Sequence, residues 1–203
     1  MPGAHEHIEH AEHTEHAAHS NKNVALLIAV IALFLAFSET LGKSAQTSAL
    51  NFQIEASNLW NFFQAKNIRR TVTLVASEFG KVNVLGAGDP AQKDALTKQI
   101  DTWTKTAERY RSEPEAGGGK GEGTVELSRR AQEMEKDRDH QLNKYHNFEF
   151  ASAAFQIGIV LCSATVITGM IALTYLAGGL VAIGLGFMAM GLLGMHLHLP
   201  HIF

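Results

Sequence analysis

VALLIAVIALFLAFSETL, residues 24–41, decides how the rest of the chain is read. As a helix rising 1.5 Å per residue, this run spans about 27 Å, close to the ~30 Å hydrocarbon core of a bilayer. Glu39 then falls near the interface. A secretory leader would open with basic charge, but here the preceding residues are acidic and His-rich, with Lys22 the one basic side chain. The run therefore predicts a retained transmembrane helix over 23–42, behind a His/Glu-rich tail at 1–22.

Working outward, the averages (46% apolar, 18% charged, net charge −3) look ordinary for a soluble protein. They hide strong segregation. Every Lys and Arg except Lys22 lies between residues 43 and 144, and residues 150–203 hold no Asp, Glu, Lys or Arg. A segment stripped of formal charge is matched to a low dielectric. Two further spans are predicted there, 150–176 and 177–195, with a turn at Gly178–Gly179 where glycine tolerates positive φ. The return from Leu180 to Met195 is short for a full crossing. Gly179 and Gly186 lie seven apart, as do Gly184 and Gly191. Each pair shares a helix face, which predicts close helix–helix or subunit packing rather than a merely flexible span. The single cysteine, Cys162, excludes an internal disulfide and Cys-based zinc motifs.

Residues 43–149 read as helical, without an alternating strand pattern. Apolar positions recur four and three apart at Ala45, Ala49, Phe52, Ala56, Leu59 and Phe63, then at Ala65, Ile68, Val72, Val75, Phe79 and Val82. The phase changes near Phe63, which predicts a local change of winding. GAGDP (86–90) breaks the helix, with Asp89 as N-cap and Pro90 at the first helical position. A second helix follows on Leu96, Ile100, Trp103, Ala107 and Tyr110. EPEAGGGKGEG (113–123) reads as a loop, and Thr124 opens a third helix on Leu127, Ala131 and Met134 that runs into the second span. The fold expected is an all-α integral membrane protein with three transmembrane helices. A coiled-coil-like helical stalk (43–149) is inserted between the first and second, and a short tail at 196–203 carries His196, His198 and His201.

Between Lys43 and Lys66 the only charge is Glu55, and neutral amides stand instead at Gln46, Asn51, Gln53, Asn58, Asn61 and Gln64. Asn51 and Asn58 are one heptad apart. Exposed helices normally carry charge, so this face predicts either packed amides that fix register and oligomer number or the hydrated wall of a pore. Asn51, Asn58, Trp60, Asn61, Gln64 and Lys66 are the candidate interface or pore residues. Within them, SNLWNFFQAKNIRR (57–70) resembles the S-D-x-W-x-x-Y-Q-A-K-S-I-K signature of a bacterial family of uncharacterised three-helix membrane proteins. Ser57, Trp60, Gln64, Ala65, Lys66 and Ile68 match, while Asn58, Phe63 and Asn67 replace an acid, a tyrosine and a serine. The resemblance covers nearly the whole chain and implies an inner-membrane architecture. The family has no established activity to transfer.

Enzymatic chemistry is not expected. GGGKG (117–121) lacks the first glycine and the Ser/Thr of a phosphate loop, and no GxSxG, HExxH or CxxC occurs. Region 43–149 carries 16 basic and 15 acidic residues, too balanced for a nucleic-acid footprint. His5, His7, His10, His13, His16 and His19 remain. From His7 to His19 the three-residue spacing lets pairs chelate Zn²⁺, Ni²⁺ or Cu²⁺, but it also winds around a helix, so four do not converge as a closed site needs. The alternative is a hydrophilic tail that binds metal incidentally. Positive-inside logic on Lys43, Arg129, Arg130, Lys136, Arg138 and Lys144 places 43–149 in the cytoplasm and the leader in the periplasm. The function expected is a homo-oligomeric structural or accessory membrane protein, in contact with the lipid bilayer and a larger membrane complex. The competing class is an ion channel or metal-handling protein.

Overall fold

A computed structural model describes residues 4–114 and 120–195, with side chains from Lys22 onward. The side chains of the six leader histidines, and His196, His198 and His201, lie outside the described residues. Four helices follow in order: α1 Ala4–Gly86, α2 Pro90–Arg111, α3 Thr124–Thr168 and α4 Ile171–Leu193. No strand occurs among the described residues, which are all-α. Three of the helices, α1, α3 and α4, are long and apolar enough to cross a membrane. The chain divides into two compact units, residues 1–48 with 140–203, and residues 49–139.

In the first unit, α1, α3 and α4 pack around Val24, Ile31, Ala151, Phe155, Cys162 and Ala177. Small residues on α4 admit large ones from α3. A Cβ on Gly184 would sit 2.7 Å from the Phe155 ring, and one on Gly191 3.0 Å from the Phe148 ring. Ala177, Gly184 and Gly191, each seven apart, form the buried face of α4. Ser38 Oγ donates to the Phe148 carbonyl at 2.9 Å, a buried polar tie between α1 and α3. Asn147 Nδ2 donates to the Met195 carbonyl at 3.0 Å, just beyond α4, which ends on Gly194 at φ +65°.

The hairpin turns earlier than its sequence suggests. The two helices are joined at Gly169–Met170, where Gly169 takes φ +68°, and Gly178 and Gly179 lie inside α4. The return helix therefore has 23 residues, enough to cross in full. Composition could not mark the turn, because both flanks are apolar. Seating Ala177 and Gly184 on α3 requires helix on both sides of Gly178.

In the second unit, α1 packs on α2 and α3. Leu59, Leu127 and Ala131 are buried together, with Trp60, Phe63 and Met134 against them. The α2 face read from the sequence turns inward, with Ala107 fully buried. Asp89 caps α2 by accepting from the Ala91 N–H at 3.1 Å. The expected change of winding near Phe63 does not occur, and α1 is unbroken through Gly86. The two apolar series instead lie on different faces. Ala49, Ala56 and Leu59 are buried, and the same spacing continues inward through Lys66, Ser77 and Gly80. Ile68, Val72, Val75, Phe79 and Val82 are all exposed.

Candidate functional site

The six candidate residues on α1 divide between two faces. Asn51, Asn58, Asn61 and Gln64 are exposed. Trp60 and Lys66 face the chain's own helices. Trp60 Nε1 donates to Glu135 Oε1 at 2.9 Å, and its ring stands edge-on to Phe63 at 5.4 Å. Lys66 is buried, its Nζ 3.1 Å from Glu113 Oε2 and 3.5 Å from Glu122 Oε2, and 5.4 Å from the centroid of the Phe62 ring. An ammonium this far from water needs such compensation. The Trp and Lys of the signature thus hold carboxylates of the α2–α3 connection and of α3. Trp60 and Lys66 are thus engaged within the chain, and the four amides form the exposed part of the candidate set.

Hydrogen bonds tie the α2–α3 connection to the start of α3. Glu126 Oε1 accepts from Ser112 Oγ at 2.7 Å, and Oε2 accepts from the Glu113 N–H at 3.3 Å. Partial burial pushes the Glu126 carboxyl up. The Ser112 hydroxyl, the backbone N–H groups and the Arg129 charge outweigh that, holding it below the ordinary carboxylate value. Gly123 makes this possible, since a Cβ there would collide with Glu126 Oε2 and the Glu113 backbone. Sequence reasoning missed Glu113, Glu122 and Glu126 because each partner is distant along the chain or outside a helical period.

In the first unit, a cleft of about 270 Å³ lies between α1 and α3, lined by Ser38, Glu39, Gly42, Lys43, Gln46, Tyr145, Phe148, Glu149 and Ser152. Glu39 accepts from Gln156 Nε2 at 3.3 Å, and Tyr145 Oη donates to Glu149 at 3.4 Å. Ser152 Oγ is buried without a hydrogen-bond partner among the described residues. The cleft marks where the apolar stretches give way to charge. Of the four candidate glycines, Gly184 and Gly191 are spent on contacts within the chain. Gly179 and Gly186 have open space where a side chain would stand. No group of three or more His, Cys, Asp or Glu suited to a metal occurs among the described residues.

Neither the curated proteins nor the solved structures contained a match to this chain. Residues 20–194 match the family described as "Domain of unknown function (DUF4337)", a span that takes in all three long apolar helices, the amide face and the Trp60–Lys66 signature; the chain belongs to that family.

Proposed function

We propose that the protein is a non-enzymatic, homo-oligomeric component of a bacterial inner membrane, with a structural or accessory role. The observation that carries this reading is the apolar surface left outside the fold. In the most apolar stretch of α1 only 17% of residues are buried, and Leu26, Leu33 and Phe37 on α1, with Ile171, Leu176 and Ile183 on α4, face outward. In water that surface would be costly; in lipid it is the ordinary state. The exposed amides on α1, and the open Gly179 and Gly186 on α4, support contacts between copies. The positive-inside pattern supports a cytoplasmic 43–149 region and a periplasmic leader, whose histidines would meet divalent metal there.

Membrane fractionation followed by native mass measurement in detergent tests the reading. The expected result is a membrane-bound chain whose mass is a multiple of 22.1 kDa. A soluble monomer would overturn it. The exposed Asn58, Asn61 and Gln64 also fit a water-lined ion path; a cation flux from reconstituted liposomes that ceases on Asn61→Leu would favour that alternative.

A further inference from the structure

The exposed amides and the exposed apolar series are one feature. Assigned to a heptad, Asn51, Asn58, Ala65, Val72 and Phe79 occupy one position, and Ile54, Asn61, Ile68, Val75 and Val82 the position three residues on. All ten are exposed. This is the a/d pattern of a coiled coil, running along the side of α1 opposite Ala56, Leu59, Lys66, Ser77 and Gly80. An ideal helix drifts by about 20° per heptad, so a strict seven-residue repeat on the outer face fits a helical partner better than a flat surface. The exposure is large: Ile68 64%, Val72 63%, Val75 63%, Phe79 67% and Val82 63%. Together these five side chains present on the order of 500 Å², the size of the largest apolar patch on a typical monomer, which is often a functional one.

We infer that this stripe is the seam of a parallel, in-register coiled coil between two copies of the chain. The inference deepens the oligomeric reading above and rests on it. Three observations select a second copy. Two such stripes facing one another would hide on the order of 1,000 Å², the scale at which specific interfaces begin. In register, each asparagine meets its own kind, so Asn51, Asn58 and Asn61 satisfy one another across the seam. An antiparallel pair would set those amides against Val72 to Val82 and leave them unpaired. Finally, the charged residues flanking the seam, Glu55, Arg69 and Glu78, face Leu50, Gln64 and Asn83 of the second copy, so like charges do not meet.

Single cysteines test this in the full-length chain in detergent, with Cys162→Ala removing the native thiol. Ile54→Cys, Val75→Cys and Val82→Cys are each oxidised with diamide, beside Asn67→Cys, an exposed residue off the seam. Ile54 and Val82 lie about 42 Å apart along the helix, so only a parallel, in-register pair lets both join to themselves. The expected result is a covalent dimer at all three seam positions, formed about tenfold faster than at Asn67 by proximity. An oligomeric native mass with crosslinking no faster at the seam than at Asn67 would overturn the seam and leave the oligomer standing. Crosslinking at only one of the three would overturn the parallel register. A monomeric native mass would overturn both.

Discussion

In the apolar stretch of α1 (24–37) and along α4, helices carry apolar side chains on nearly every outward face; in the unit of residues 49–139, large outward apolar side chains on α1 keep mainly to one heptad-spaced stripe. On the proposed membrane reading, the contrast separates two solvents. Around Leu26, Val30, Leu33 and Phe37, α1 has no polar side at all, which is how a helix looks when its surroundings are lipid. Around Ile68, Val72, Val75 and Phe79, the flanking positions carry Arg69, Thr71 and Glu78, which is how a helix looks when one face awaits protein and the rest meets water.

The sharpest way to break the comparison sets a buried residue of the middle unit against one on its stripe. Leu127→Ala removes a fully buried side chain from between α1 and α3, and should cost about 2–5 kcal/mol in thermal or denaturant unfolding. Val75→Ala should stay within about 0.5 kcal/mol at protein concentrations low enough to dissociate copies, while weakening association at higher concentration. Equal losses for both under dilution would show that the stripe is covered within the chain, and the contrast would fail.

The next effect comes from the buried cation. Replacing both Glu113 and Glu122 by glutamine leaves Lys66 without its carboxylates. Uncompensated buried charges cost about 3–5 kcal/mol, but these carboxylates are 42% and 58% exposed, so solvent screening reduces the expected loss to about 1–3 kcal/mol. Adding Lys66→Met to the double variant should restore most of it, as unfolding midpoints of the three variants would report. If the triple variant is no more stable than the double, Lys66 is not what the carboxylates serve.

Within the apolar unit the glycines sharpen the same distinction. Gly184→Ala places a methyl group against Phe155 and should destabilise by about 1–3 kcal/mol through overpacking. Gly186→Ala has open space and should leave the isolated chain unchanged, or add stability by a few tenths of a kcal/mol. Loss of thermal stability with Gly186→Ala equal to that with Gly184→Ala would mean that both faces of α4 are packed within one chain.

Much of this architecture could be read in the sequence, where the physics is local. Asp89–Pro90 starts α2 because capping is a matter of adjacent groups. Leu96, Ile100, Trp103, Ala107 and Tyr110 turn inward as their spacing requires. On α1 the misreading arose because periodicity shows that a face exists but not what lies against it. Two heptad series with different phase can be one series that changes winding or two faces of a straight helix, and only the burial of Lys66 and Ser77 against the exposure of Ile68 and Val72 decides it. The Gly169 turn stayed hidden because hydropathy is uniform across it. Lys66 meets Glu113 47 residues away, and Trp60 meets Glu135 75 residues away; no helical period links either pair.

The smallest expected effect is a pH dependence at the α2–α3 connection. Glu126 titrates below its ordinary value of 4.5 in the folded chain, so the unfolded chain binds the proton more tightly and stability rises with pH across this window. The stabilisation is present in full above the unfolded value and is lost as pH falls through the lower folded one. Glu126→Gln keeps the shape but removes the charge that Ser112 and the Glu113 N–H stabilise. The gap in melting temperature between the native chain and Glu126→Gln should therefore be constant from neutral pH down to about pH 5.5, narrow below about pH 4.5, and largely close once the folded carboxylate is protonated. A gap that widened on acidification would mean that the charge opposes this connection, and that the Glu122 N–H on the Glu113 carbonyl and the Thr124 hydroxyl on the Arg111 carbonyl hold it without the carboxylate.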